Sequence, residues 1–188
     1  MLITRTGYTG EIGYEIYLKN AAKDGLKLWN TMLEAGKPYN ISPAGPSLTR
    51  RLEHGMRNYG QDVRLDNNPY EVGLGFAVDL NQDSDFVGKG SLTQIKKEGV
   101  KKKLVGIEFG IERMKGWNED YWPVVESDKQ IGQITTAAYS PGLKKNIGYA
   151  MLPIEKTEIG TKITILARGD ETGATVIKEP FVRGREKQ

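Results

Sequence analysis

One carboxylate stands out for its setting. Glu15 lies in the strand-like run Tyr14–Leu18, where Tyr14, Ile16 and Leu18 alternate with Glu15 and Tyr17. Period-two alternation puts Glu15 and Tyr17 on one face. An ionised carboxylate only accepts hydrogen bonds, so it suits a ligand edge with adjacent N–H donors, as on a pterin or purine. A tyrosine beside it gives such a ring something to pack on. The same alternation also fits a second reading, in which Glu15 lies on a solvated strand face, where glutamates usually are. Upstream, Gly7, Gly10 and Gly13 surround Tyr8 and permit tight turns or close approach. No Gly-Lys-Ser/Thr follows them, and no Gly-x-Gly-x-x-Gly joins a strand to a helix, so this is not a phosphate loop.

Positioning these residues falls to short elements. Leu2–Thr6 and Tyr14–Leu18 read as two short strands joined by the glycines. A helix is predicted over about 22–35, with Leu26, Trp29 and Leu33 on one stripe, Met32 at its border and Gly36 as its stop. Another fits about 46–57, with Pro46 in its first turn and Leu48, Leu52 and Met56 recurring every four residues. Val72–Leu80 reads as a strand and Ser91–Lys97 as a short helix. The charged stretch 96–103 marks a seam, dividing the chain into 1–98 and 99–188. Beyond it the pattern is β. Val105, Ile107 and Phe109 share a face, as do Ile134, Thr136 and Ala138, and Ile163, Ile165 and Ala167. Turn residues separate these runs, which predicts a small barrel or sandwich. The fold class expected is therefore α+β: a partial open sheet with helices, then a small C-terminal β-barrel.

Composition narrows the chemistry. The 188 residues hold 27 Lys plus Arg against 24 Asp plus Glu, a net charge of +3. That is too mild to imply a nucleic-acid or polybasic membrane partner. With no Cys and the single His54, thiolate sites, multi-His metal sites and a Cys nucleophile are excluded, so no metal is assigned. The chain has no run of roughly 20 apolar residues and opens without a signal-peptide h-region, so the expected setting is the cytoplasm.

The motifs in order carry a resemblance. Arg5-Thr6-Gly7-Tyr8-Thr9-Gly10-Glu11, then Gly13-Tyr14-Glu15-Ile16, is similar to the signature of the glycine cleavage T-protein (aminomethyltransferase) family, which includes tetrahydrofolate-dependent demethylases. Arg51–Met56, Tyr59-Gly60-Gln61-Asp62, Asn68–Leu74, Phe86-Val87-Gly88-Lys89, Tyr139-Ser140-Pro141 and Leu143–Gly148 follow in family order. The resemblance covers the family's C-terminal half. It implies a one-carbon transferase using tetrahydrofolate, with residues 1–98 in the folate-binding region and 99–188 as the barrel. Glu15 would bind the pterin, with Tyr8 and, in the demethylase branch, Tyr17 lining its pocket. The family's catalytic Asp belongs to its other half, so no catalytic residue is assigned here; Asp62 is expected to cap or to make a surface contact.

The implied partners are a small methyl or aminomethyl donor and, for aminomethyl transfer, a lipoyl carrier protein. Ser47 stands where the aminomethyltransferases carry an Arg that faces folate. Tyr39–Pro43 and Asn67–Glu71 look more like the dimethylsulfoniopropionate demethylase branch, which implies a methylated sulfonium or amine as donor. The alternative is a non-catalytic binding module or an inactive fragment, whose unpaired sheet edge would favour self-association. Lesser features are His54 at a helix boundary, Lys101-Lys102-Lys103 as a solvated linker, Trp117, Tyr121 and Trp122 as an aromatic cluster, and Arg183 and Arg185 as a cationic tail that could meet an anionic folate tail.

Overall fold

The computed structural model describes residues 1–110 and 112–182. Arg183 and Arg185 lie outside the described residues. Strands β1 (Leu2–Thr4) and β2 (Glu15–Tyr17) pair antiparallel as a two-stranded sheet, with Thr4 opposite Glu15. Helices α1 (Ala21–Gly36), α2 (Leu48–Glu53) and α3 (Lys89–Glu98) follow. Then come β3 (Lys102–Phe109), β4 (Trp122–Glu126), β5 (Lys129–Ser140), β6 (Lys145–Pro153), β7 (Lys162–Ala167) and β8 (Asp170–Ile177). These six strands close into an antiparallel barrel in the order β3-β6-β5-β4-β7-β8. Among the described residues no helix is long and apolar enough to cross a membrane.

Two apolar layers hold the molecule together. Val105, Ile107, Phe109, Val124, Ile134 and Ile165 fill the barrel. Strand β6 is apolar on both faces, so its outer side chains Ile147, Tyr149 and Met151 need cover as well. Leu52 of α2 and Val72 supply it, making a second cluster outside the barrel wall. By contrast, α1 buries nothing: Leu26, Trp29 and Met32 of its stripe are all exposed, as are Leu2 and Ile3 of β1.

Several expectations need correction. Helix α2 is only Leu48–Glu53. Ser47 caps it, its Oγ accepting from the Arg50 amide at 3.2 Å, which satisfies a donor that the first turn leaves unpaired. Pro46 therefore lies before the helix, and His54 closes it. Val72–Leu80 is not a strand. Gly73 takes φ +75°, a conformation glycine adopts without steric cost. The Leu74 amide turns back to the Pro69 carbonyl at 2.8 Å, and Gly75–Ala77 forms a 3-10 turn. The lysines at 102 and 103 open β3 rather than forming a linker. On β5 a bulge between Ile134 and Thr136 breaks the alternation, as an extra residue in one strand does. Ile134 and Ala137 point into the barrel, while Thr136 and Ala138 lie outside.

That bulge has a partner. Asp62 is not the surface or capping residue expected; it is 1% exposed. Its Oδ1 accepts from Thr135 Oγ1 at 2.7 Å and Thr136 Oγ1 at 2.6 Å. Its Oδ2 accepts from Arg51 Nη1 at 2.6 Å and the Asn58 amide at 2.9 Å. Arg51 is equally buried, and Nη2 also donates to Gln61 and Thr136. Four donors thus offset the desolvation of one carboxylate, which an isolated pair would not achieve. Asp62→Ala strands the Arg51 charge and should lower unfolding free energy by about 3–5 kcal/mol, measured by urea denaturation. The double replacement Arg51→Met/Asp62→Leu should lose less than either single change. A double mutant losing the sum of the singles would refute this account.

Candidate functional site

Glu15 is half-buried and braced. Thr6, just beyond β1 and across from it, donates its hydroxyl to Glu15 Oε2, and Tyr17 donates to the same oxygen at 3.3 Å. Thr4 Oγ1 lies 2.7 Å from Thr6 Oγ1. A hydroxyl relay therefore runs along the sheet from Thr4 through Thr6 to Glu15, each bond polarising the next. Both donors to Glu15 use Oε2. Oε1 accepts from neither, and so remains available to an incoming donor edge. The Tyr17 ring is 54% exposed beside it. A carboxylate held still by two hydroxyls, with an aromatic face alongside, fits a flat heterocycle presenting adjacent N–H groups. The residues present therefore suit a pterin.

Tyr8 is directed elsewhere. Its hydroxyl donates to the Arg57 carbonyl, so the structure unites Glu15 with Tyr17 but ties Tyr8 to the segment after α2. Burial raises the Tyr8 pKa, opposed by Arg51 and reinforced by Asp62. Gly10 makes this docking possible. It sits at φ +74°, and a Cβ there would fall 2.1 Å from the His54 ring carbon Cγ. His54 is the closing residue of α2, with Nδ1 at 2.9 Å from the Arg50 carbonyl, and is thus a packing surface for the loop. Concave surfaces on the barrel side, including a groove of about 560 Å³ lined by Gln61, Arg64, Lys102 and Gln133, do not include Tyr8, Glu15 or Tyr17. The aromatic cluster dissolves: Trp122 packs edge-on against Phe109 in the barrel, Tyr121 donates to the Gln61 carbonyl at 2.8 Å, and Trp117 is exposed.

Sequence reasoning passes over Arg57 and Glu179. Arg57 Nη2 donates to Glu179 Oε1 at 2.6 Å. Nε reaches the Val72 carbonyl at 3.2 Å, and Nη1 reaches the Gly55 carbonyl and, at 3.1 Å, the Tyr149 hydroxyl. The guanidinium stacks 4.5 Å over the Tyr149 ring. The tyrosine is wholly buried and donates to the Leu52 carbonyl at 3.2 Å, and burial pushes its pKa up. No motif signals the Arg57–Glu179 pair, because its members lie 122 residues apart.

Comparison with known proteins identifies the family. Residues 1–82 match the GCVT N-terminal domain family, and residues 102–183 match the glycine cleavage T-protein C-terminal barrel domain. The chain belongs to the glycine cleavage T-protein family. It is 44% identical over 184 residues to an aminomethyltransferase of a Geobacillus species, spanning 97% of this chain and 49% of that one. Against the aminomethyltransferase of Symbiobacterium thermophilum the identity is 40% over 190 residues, spanning 100% and 49%. The chain thus spans about half the length of these curated relatives. The crystal structure of the glycine cleavage system aminomethyltransferase T from Bartonella henselae superposes with a TM-score of 0.83 over 99% of this chain and 51% of that one; at 24% identity it speaks to the fold alone.

The loop contact and the buried acid each make a measurable difference. Gly10→Ala adds a Cβ where the His54 ring stands and forces a side chain into a positive φ. It should destabilise the chain by about 1–3 kcal/mol, seen as a lower thermal midpoint that His54→Ala partly restores. Glu179 titrates above its ordinary 4.5: burial raises it, against the pull of Arg57 and Lys103 and with a small push from Asp62. A raised carboxyl contributes most while protonated, below 4.5, and that contribution is lost as pH climbs through the raised value. The stability of the wild type relative to Glu179→Gln should therefore fall as pH rises above 4.5, read from denaturant midpoints at matched pH. A difference growing with pH would mean that attraction to Arg57 outweighs burial.

Proposed function

We propose that this chain carries the pterin-recognising part of a tetrahydrofolate-dependent one-carbon transferase. The observation that supports it best is the Glu15 carboxylate, braced by Thr6 and Tyr17 and open at Oε1, inside the family's signature stretch. The chemistry that tetrahydrofolate supplies is a nucleophilic ring nitrogen able to accept a one-carbon unit. Such transfer needs donor carbon and acceptor nitrogen within roughly 3–3.5 Å and in line. What these residues contribute is orientation: Glu15 accepts the pterin N–H donors, Tyr17 packs on the ring, and Tyr8 anchors the glycine-rich loop that leads into their strand. The exposed apolar residues of β1 and α1 fit a surface covered by the remainder of a protein as long as the relatives.

Aminomethyl transfer from a lipoyl carrier is the reading favoured by the relatives' names. One observation favours demethylation of a sulfonium such as dimethylsulfoniopropionate. Ser47, at the position of the family's folate-facing Arg, is committed to capping α2, so no guanidinium stands there to meet folate.

Tryptophan fluorescence should report saturable binding of tetrahydrofolate. Glu15→Ala should weaken it by about 10–100-fold, the loss expected for a hydrogen-bonded charged group. No saturation at millimolar ligand would overturn the folate reading. One-carbon transfer assayed with an aminomethyl lipoyl carrier, sarcosine and dimethylsulfoniopropionate then chooses between the two donors.

A further inference from the structure

The last described residues lie across the segment that anchors Tyr8. The Val182 amide donates to the Glu53 carbonyl at 3.0 Å. Phe181 packs against Tyr149 with ring centroids 6.0 Å apart, in a space kept open by Gly106, where a Cβ would approach its ring to 3.0 Å. Pro180 rests on Gly55. Glu179 grips Arg57, whose guanidinium has no freedom left: two backbone carbonyls, a tyrosine hydroxyl and a tyrosine face fix it from the other sides. The main chain of the same arginine offers Tyr8 its acceptor. A restraint on the Arg57 side chain is therefore a restraint on the carbonyl that holds Tyr8, and with it the glycine-rich loop leading into Glu15.

We propose that Glu179–Val182 is a clasp that sets the position of the Tyr8 loop through Arg57, making Arg57 and Glu179 positioning residues for the pterin slot. The role of that slot rests on the folate reading above; the mechanical coupling does not. Removing the clasp loosens residues 7–13 while leaving the barrel intact, because β3 and β6 are paired along their length independently of residues 179–182.

Amide hydrogen exchange on the full chain tests this without ligand. Glu179→Ala and Arg57→Met should each speed exchange over residues 7–13 about tenfold while leaving β3 and β6 within about twofold of wild type. Tyr8→Phe should produce the same loosening. The double change Tyr8→Phe/Glu179→Ala should add nothing to either single change, since both cut one chain of contacts. Should Arg57→Met fail to fold, Glu179→Ala carries the test alone. Unchanged exchange over 7–13 in Glu179→Ala, or additive effects in the double mutant, overturns the clasp. Tetrahydrofolate affinity should fall about tenfold in Glu179→Ala; unchanged affinity with a loosened loop overturns the positioning role. If wild type binds no folate, the functional reading fails, and exchange still decides the clasp.

Discussion

The buried Arg51–Asp62 pair joins the two parts of this protein. One charge comes from α2 and the other from the loop after it. The hydroxyls that complete their hydrogen bonding come from the bulge of β5. Exposed ion pairs contribute little; this one is different because nothing replaces water at Asp62 except those four donors. Its geometry is therefore demanding. Sliding β5 by one residue would turn Thr136 away from the carboxylate and leave both charges undersatisfied. The bulge that spoils the regular alternation of β5 is what presents two consecutive threonines to one carboxylate.

From that joint the structure reaches the glycine-rich loop in few steps. Arg51 sits on α2, whose closing residue, His54, receives Gly10. Three residues further, Arg57 offers its carbonyl to Tyr8 and its guanidinium to Glu179. The loop has no apolar core of its own: Tyr8, Ile12 and Tyr14 are exposed. Its position comes from contacts with the α2 segment, which in turn is seated by Leu52 against β6 and by the buried pair. Packing on the outside of the barrel thus determines where the carboxylate-bearing strand begins.

Much of this is legible in residue patterns, and the rest is hidden for identifiable reasons. Period and punctuation predict α1, α3, the two short N-terminal strands and a β-rich end, because each is encoded within a short window. The face shared by Glu15 and Tyr17 is legible for the same reason, and the hydroxyl bond between them agrees with it. Asp62 reads as a surface residue because the three side chains that satisfy it stand 11, 73 and 74 residues away and no local pattern announces them. Val72–Leu80 looks like a strand because its apolar run says nothing about Gly73, whose positive φ turns the chain. The Thr6 brace on Glu15 needs the register of β1 against β2, which composition does not supply.

The two carboxylates differ in what their surroundings leave open. Asp62 is saturated: four donors, no solvent and a paired cation leave it nothing further to bind. Glu15 is held by two hydroxyls on one oxygen and faces no fixed cation within hydrogen-bond distance among the described residues. A group saturated by its own fold stabilises; a group held in place but left short of donors recognises. Neutral hydroxyls restrain such an acid without neutralising it, so its charge stays available to a donor edge. A lysine in their place would pair with it and occupy that role. On this physical ground the signature strand, rather than the more deeply buried charge cluster, is the better suited of the two to meet a ligand.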